Sequence, residues 1–370
     1  MKPLLAVPAL LAALLAAACG GPDRGPHLYT FQGSTMGTTF MVKVVTETLR
    51  EERQAEVLEL IEAELDEVDT KMSHYLEDSE LSRFNRSHDT SPFTVSEETL
   101  EVFRHAQELA RLSGGAFDVT VGPLVDAWGF GPEERIIEPS ESIEPRPDEV
   151  ISRLIAHVGY TKIELDLEHS TIRKTDPSVA CDLSAIAKGY GVDQVSEALR
   201  REGFGDHLVE VGGEVRAAGL NDAGHPWRIA IEQPGSGGTV PGRIVPLSNL
   251  AMATSGDYRN YYEVGGVRFS HTIDPRTGYP VSHALASVSV VDELSVRADG
   301  LATALAVLGP DEGYELAVEQ DLAALFIVRD GEGGLRERAT PAFERLVGAT
   351  GAQDRGNLGS VAQPLRVAIR

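Results

Sequence analysis

The chain has 370 residues and a formal net charge of −24; 42% of its residues are hydrophobic and 6% are aromatic. This length and apolar content suffice for one large domain or two closely packed lobes, and no half of the chain has a disordered composition. The strong negative charge argues against nucleic acid as a partner, because binding phosphates requires clustered Lys and Arg.

The N-terminus has the pattern of an export signal. Its apolar run, residues 4–15, is shorter than the roughly 20 residues that a membrane-spanning helix needs. Three alanines lead to Cys19, a placement that resembles the lipobox of a bacterial lipoprotein; the alternative is a cysteine without function in a discarded leader. We predict a signal peptide over 1–18, a lipidated tether over 19–28 and a location on the periplasmic side of a bacterial membrane. The second cysteine, Cys181, is then expected to be buried without a disulfide.

Helices and strands are predicted to alternate irregularly. Periodicity and capping residues predict strands over 40–45, 207–211, 215–218, 228–232, 288–291 and 323–328, a β-rich block over 163–175, and helices over 47–69, 96–112, 184–202 and 298–308. This order favours a mixed α+β layered fold over a doubly wound parallel sheet. We expect one large domain over 29–350 with two intimately packed lobes, an acidic surface insertion over 133–149 and a loosely ordered tail over 351–370.

Residues 271–280 concentrate a base, a carboxylate, a cation and rigid turn residues. Pro275 fixes its own φ, and Gly278 marks a turn. The imidazole of His271, with an ordinary pKa of about 6.5 for this side chain, suits a general base at neutral pH, and Asp274 is placed to orient it or the loop. The alternative interpretation is a surface turn whose histidine has no chemical role.

Two further segments suggest phosphate and metal binding. Residues 182–191 place Lys188 one turn inside a helix start rich in small residues, where backbone and a cation can approach a phosphate-bearing ligand. Asp299 and Thr303 are four residues apart and therefore share a helix face, and two hard oxygens suit Mg²⁺ completed by carbonyls, water and phosphate. The alternatives are a capped helix with an exposed lysine and an N-capping Asp with a core-facing Thr.

Other motifs narrow the class of ligand. Residues 114–124 place Phe117 and Asp118 after flexible glycines, an arrangement suited to lining a ring-binding pocket. The sequence contains no Walker loop, no GxGxxG opening a βαβ unit, no HExxH and no CxxC pair. The common nucleotide and zinc signatures are therefore excluded.

Taken together and in order, these segments resemble the ApbE family of FAD:protein FMN transferases. The matching segments are residues 33–38, 72–75, 78–85, 115–118, 182–189, 212–216, 254–259, 271–280 and 298–303. Ordered matches across about 270 residues are far more specific than any single motif. The lipoprotein-like leader also fits the family.

The resemblance implies an enzyme that binds FAD and Mg²⁺, transfers the FMN moiety to a Ser or Thr hydroxyl of a periplasm-facing acceptor flavoprotein, and releases AMP. His271 is the candidate general base. The FAD contacts implied by the resemblance are Met36, Tyr75, Ala116, Phe117, Asp118, Asp182, Lys188 and Ile273, and the implied metal ligands are Ala185, Asp299, Ala302 and Thr303.

Two other functions stay open at the level of sequence. In the first, water replaces the acceptor hydroxyl and the protein is an FAD pyrophosphatase that gives FMN and AMP. In the second, it is a non-catalytic flavin-binding lipoprotein. The presence of His271, Asp299 and Thr303 together argues against the second, because binding alone does not require that set.

Overall fold

The computed structural model describes residues 25–131, 148–233, 241–256, 261–264, 267–331, 333–351 and 365–366. The helices are α1 (Glu51–Met72), α2 (Glu80–Arg86), α3 (Glu97–Leu112), α4 (Gly122–Ala127), α5 (Asp148–Ile155), α6 (Ala187–Arg201), α7 (Ser295–Glu319) and α8 (Pro341–Gly351). The strands are β1 (His27–Thr35), β2 (Thr38–Thr46), β3 (Phe93–Thr94), β4 (Ile163–Asp166), β5 (Thr171–Lys174), β6 (Asp206–Val211), β7 (Glu214–Ala218), β8 (Trp227–Glu232), β9 (Pro241–Leu247), β10 (Leu250–Gly256), β11 (Tyr261–Val264), β12 (Val267–Ser270), β13 (Ile273–Asp274), β14 (Tyr279–Pro280), β15 (Leu285–Asp292), β16 (Ala323–Arg329), β17 (Leu335–Ala339) and β18 (Leu365–Arg366).

The central element of the described residues is an eight-stranded sheet in the order β1-β2-β6-β7-β10-β15-β16-β17. Every neighbouring pair in it is antiparallel. Side chains alternate between its faces, so that Val209 packs with the helices and Leu208 packs on the opposite side. Both faces are covered, which is why β7 is buried along its whole length. The predicted mixed α+β fold is confirmed.

Two layers enclose this sheet. Helices α1, α6 and α7 pack on one face, and the β8–β9 hairpin with α8 packs on the other. In α1, Val57, Ile61, Leu65 and Val68 recur at helical spacing and are buried, while the acidic side chains between them face outward. The amphipathic helix predicted for this segment is therefore confirmed.

Helix α7 bends at Gly309, whose φ of 80° and ψ of −170° are non-helical. The next residue, Pro310, has no N–H to donate to the carbonyl of Ala306. His283 donates instead, from Nε2 to that carbonyl at 2.8 Å. The sequence predicted a helix over 298–308 and missed the part beyond this kink.

Most predicted boundaries agree with the structure. Ser96 caps α3 by accepting the N–H of Thr99, and Gly114 and Gly115 follow the helix with positive φ. The helix predicted from residue 184 begins at Ala187, because the three preceding residues form a turn.

Several predictions concern residues outside the described part of the chain. These are the signal peptide over 1–18, Cys19 and most of the tether, nearly all of the acidic insertion, and all but Gly351 and the two-residue strand β18 in the tail. The domain limits of 29–350 stay a prediction. Cys181 is buried as a free thiol, as expected. Among the described helices, none combines the length and apolar character needed to cross a membrane.

Candidate active site

A cavity of about 640 Å³ lies where the helical layer, the segment after α3 and the β13–β14 hairpin meet. Eleven of the thirteen predicted site residues line it: Tyr75, Ala116, Phe117, Asp118, Asp182, Ala185, Lys188, His271, Ile273, Asp299 and Thr303. Met36 and Ala302 do not contribute to its wall. Met36 occupies the β1–β2 turn with a φ of 46° and packs into the core, and Ala302 is fully buried within α7. Their predicted roles stay predictions.

A buried charge cluster forms one part of the wall. Lys188 Nζ lies 3.0 Å from Oε1 of Glu214 and 3.9 Å from Oδ2 of Asp299. Burial acts to lower the pKa of Lys188, but the two carboxylates together raise it above its ordinary value. Burial raises the pKa of both Asp299 and Glu214, and Lys188 only partly opposes this effect. With both acids ionised, the cluster has one excess negative charge, so it favours an added cation.

The hydrogen bonding at the start of α6 differs from that of a regular helix. Gly189 N–H donates to Oδ2 of Asp299 at 3.0 Å. If α6 began one turn earlier, the Gly189 N–H would donate to the Ala185 carbonyl, four residues before it. The Ala185 carbonyl is therefore not needed by the helix, and Ala185 lies in the cavity wall.

The cavity wall contains a sparse set of oxygen donors. Within the described residues, no group of three or more His, Cys, Asp and Glu side chains is arranged to hold a metal. Asp299, Thr303 and the Ala185 carbonyl nevertheless provide a carboxylate, a hydroxyl and a carbonyl in one wall. Ser255 lies within hydrogen-bond distance of the Thr303 hydroxyl, at 3.2 Å. Such a sparse set of hard oxygens fits Mg²⁺, which keeps several waters and takes substrate phosphates as ligands.

Another part of the wall is apolar and aromatic. Phe117, Val125, Phe130 and Ile273 line it. Asp118 lies in the same wall, but its carboxylate organises the loop. It accepts hydrogen bonds from the Thr120 N–H and hydroxyl and from the Tyr160 N–H, at 2.8, 2.6 and 2.6 Å. Burial raises the pKa of Asp118, and these bonds oppose that shift.

His271 is held at the cavity by a short hairpin. Ile273 pairs with Pro280 in β13–β14, and Gly278, with a φ of 80°, donates its N–H to the Asp274 carbonyl at 2.8 Å. The Asp274 carboxylate accepts from Arg276, through the backbone N–H at 2.9 Å and through Nε and Nη2 at 3.0 Å. Asp274 therefore shapes the loop, and its other predicted role, orienting His271, stays a prediction.

Six polar residues of the wall were not predicted as site residues: His74, Ser184, Glu214, Thr254, Ser255 and Thr272. A signal for Glu214 was present, because Gly212 and Gly213 form a two-residue turn with φ of 60° and 110° that fixes Glu214 at the start of β7. His74 lies in the matching segment 72–75, next to the predicted contact Tyr75, but its place in the wall depends on packing between distant segments.

The fold is that of a flavin transferase. The structure is similar to the flavin transferase ApbE from Vibrio cholerae, with a TM-score of 0.78 and 40% identity over 87% of this chain and 99% of that one. It is equally similar to the apo form of the flavinyl transferase ApbE from Pseudomonas stutzeri, with a TM-score of 0.78 and 39% identity over 87% and 98% of the two chains.

The ApbE family model matches residues 36–326, well over half of the chain, and the chain belongs to the ApbE family. A relative from Haemophilus influenzae, named FAD:protein FMN transferase, is 43% identical over 94% of this chain and 99% of its own length. A relative of the same name from Vibrio cholerae is 43% identical over 91% of this chain and 97% of its own length. The family identification made from the sequence is confirmed.

Proposed function

We propose that the protein transfers the FMN moiety of FAD to a Ser or Thr hydroxyl of an acceptor flavoprotein, with release of AMP and dependence on Mg²⁺. Flavin transfer is the activity for which its curated relatives are named. The observation that carries the proposal is the composition of one cavity wall. His271, Lys188 and the Asp299–Thr303 pair line the same space as an aromatic and apolar surface suited to a flavin ring.

The proposed reaction forms one phosphoester bond and breaks one pyrophosphate bond. The acceptor hydroxyl oxygen attacks the phosphorus of the FMN half, its proton passes to His271, and the bond to the AMP phosphate breaks. Lys188 neutralises charge on the phosphate oxygens, because Asp299 and Glu214 keep its ammonium protonated. The acceptor oxygen, the phosphorus and the leaving oxygen must lie in line. Positioning of the two substrates in the cavity therefore supplies much of the rate.

Asp299, Thr303 and the Ala185 carbonyl would hold Mg²⁺ in this proposal. When bound, the ion would supply charge neutralisation on the pyrophosphate oxygens. Glu214 would support this site, because the Lys188 ammonium lies closer to Oε1 of Glu214, at 3.0 Å, than to Oδ2 of Asp299, at 3.9 Å.

One assay separates this function from the two alternatives. The mature protein is incubated with FAD, Mg²⁺ and a purified flavin-acceptor domain, and the acceptor mass and free nucleotides are measured. An FMN mass increment on the acceptor together with AMP supports transfer. Free FMN with AMP and an unmodified acceptor indicates a pyrophosphatase, and unchanged FAD indicates a binding protein. A Ser/Thr→Ala acceptor is the matched control, because it cannot receive the flavin.

We also propose that the protein is exported and anchored by a lipid on Cys19, on the periplasmic side of a bacterial membrane. The support is the order of a short apolar run, three alanines and a cysteine near the N-terminus. This location would place the cavity on the same side as a periplasm-facing acceptor.

A further inference from the structure

We propose that His74 accepts a hydrogen bond from the N3–H of the flavin ring, through Nε2, and so recognises the isoalloxazine ring. The inference rests on the proposed use of FAD. It assigns a binding role to a side chain that none of the preceding arguments uses.

His74 has an unused polar atom at the cavity. The residue lines the cavity, its side chain is 12% exposed, and Nε2 is buried without a hydrogen-bond partner in the described part of the chain. Buried polar atoms are nearly always hydrogen-bonded in folded proteins, because leaving one without a partner costs free energy. A ligand in the cavity is the available source of that partner.

The carboxylate of Asp182 determines which kind of partner Nε2 needs. His74 Nδ1 lies 3.3 Å from Oδ1 of Asp182. A carboxylate can only accept, so it favours the tautomer with the proton on Nδ1 and leaves Nε2 as an acceptor without a partner. The oxidised isoalloxazine ring has a single N–H, at N3, and is therefore a matching donor.

The surroundings of His74 favour the flavin over the adenine end of FAD. Its ring packs against Tyr75 with centroids 4.3 Å apart. Asp182 N–H donates to the Val119 carbonyl at 2.7 Å, which ties the pair to the segment that presents Phe117. A large, planar and mostly apolar ring gains more binding free energy than adenine from contact with such a wall.

The first test needs no variant. The affinities of the unmodified protein for FMN and for N3-methyl FMN, which lacks the ring N–H, are measured by flavin fluorescence. We expect FMN to bind about tenfold more tightly, the range for one hydrogen bond to a buried group. Equal affinities would overturn the proposal, because no N–H would then be recognised.

The second test asks whether His74 is the acceptor. His74→Leu should lose the preference between the two flavins, while His74→Gln, whose side-chain oxygen can take the place of Nε2, should keep part of it. AMP affinity should not change. His169→Leu is the matched control, because His169 also pairs with an aspartate, Asp166, at 2.9 Å, but its side chain is 69% exposed and outside the cavity wall.

If His74→Leu still binds FMN more tightly than N3-methyl FMN, His74 is not the acceptor. A variant that loses affinity only for AMP would also overturn the assignment. These outcomes are distinct from failure of the proposed function itself. In that case the unmodified protein would bind no FAD, or would leave an acceptor unmodified while still discriminating between the flavins.

Discussion

Gly189 and Asp299 join the start of α6 to the first turns of α7, through a hydrogen bond of 3.0 Å from the Gly189 N–H to Oδ2. The two helices are close because Gly189 has no side chain. A Cβ there would lie 2.5 Å from the Ser295 carbonyl oxygen and 2.8 Å from the Cβ of Asp299. The same contact sets the distance between Lys188 and the predicted metal ligands.

Gly189→Ala is therefore expected to separate the helices. Overpacking against backbone atoms costs about 1–3 kcal/mol, so the free energy of unfolding should fall by this amount and flavin transfer should fall with it. Denaturant unfolding and the transfer assay measure the two effects. Gly205→Ala is the control, because a Cβ at that position would meet no atom within 4 Å, and it should change stability by less than about 0.5 kcal/mol. Equal stability of the two variants would contradict this account of the helix contact.

Asp299→Ala is expected to abolish metal-dependent transfer while the protein still folds. Thr303→Val, which removes one hydroxyl at nearly constant volume, should raise the Mg²⁺ concentration needed for half-maximal transfer. Magnesium titrations of transfer and unfolding curves without metal measure these effects. Asp311→Asn on the same helix is the control, because that side chain is 90% exposed. An unchanged Mg²⁺ requirement in both site variants would remove them from the metal site.

His207 is expected to make the protein less stable in acid. It is buried, donating from Nδ1 to the Phe204 carbonyl and facing the Ser196 hydroxyl with Nε2, both at 2.8 Å. Burial lowers the pKa of His207 to about 4 from its ordinary value of 6.5. Between these values the unfolded chain binds the proton and the folded protein does not, so stability falls as pH falls. The resulting decrease in the free energy of unfolding is roughly 3 kcal/mol at most.

Unfolding free energies measured from pH 7 to pH 4 check this expectation. In His207→Gln, which has no group titrating in this window, the difference between pH 7 and pH 4 should shrink by the same amount. If the variant and the unmodified protein have parallel profiles, His207 is not the source of the acid sensitivity.

The sequence predicted local elements well where periodicity and capping residues were strong. Helix α3 and strand β6 lie within about two residues of their predicted limits. The sequence analysis missed β10, at the centre of the sheet, because Leu250–Gly256 contains few of the branched and aromatic residues that are typical of a strand. That strand is specified by its neighbours β7 and β15, which sequence patterns do not reveal.

The candidate site was predictable to a similar extent. Residues that belong to compact motifs, such as Lys188 and His271, were found and lie in one cavity. The pairing of Lys188 with Glu214 was not predicted, because it joins the start of α6 to a hairpin tip 26 residues later. Such contacts depend on the packing of helices against the sheet, not on spacing along the chain.

Cys19→Ser is expected to release the protein from the membrane. The lipid on this cysteine is the anchor proposed from the leader sequence. Fractionation of cells that express the variant should place it among soluble periplasmic proteins, with transfer activity unchanged in the purified form. Cys181→Ser is the control, since Cys181 is buried and should not affect fractionation. A Cys19 variant that still sediments with membranes would contradict lipid anchoring.

His271→Ala is expected to separate binding from chemistry. His271 is presented by the β13–β14 hairpin, whereas the phosphate and metal groups, Lys188, Asp299 and Thr303, belong to α6 and α7. Removing the imidazole should leave FAD affinity within about a few fold, because its contribution develops only as the acceptor hydroxyl loses its proton. Transfer at saturating FAD should fall by about 10²-fold or more, the range for a lost general base.

Fluorescence titration gives the affinity of the His271→Ala variant for FAD, and single-turnover labelling of an acceptor gives the rate of transfer. His225→Ala, in an exposed loop, is the control and should match the unmodified protein in both. Raising the pH should partly restore transfer in His271→Ala, because a more basic solution can take the hydroxyl proton in place of the imidazole. If the variant instead loses FAD binding and transfers at the normal rate once saturated, His271 is a contact for FAD. The base would then have to be sought among the carboxylates of the cavity wall. Asp182 remains there after Asp118 is assigned to its loop, Asp299 to the metal and Glu214 to Lys188.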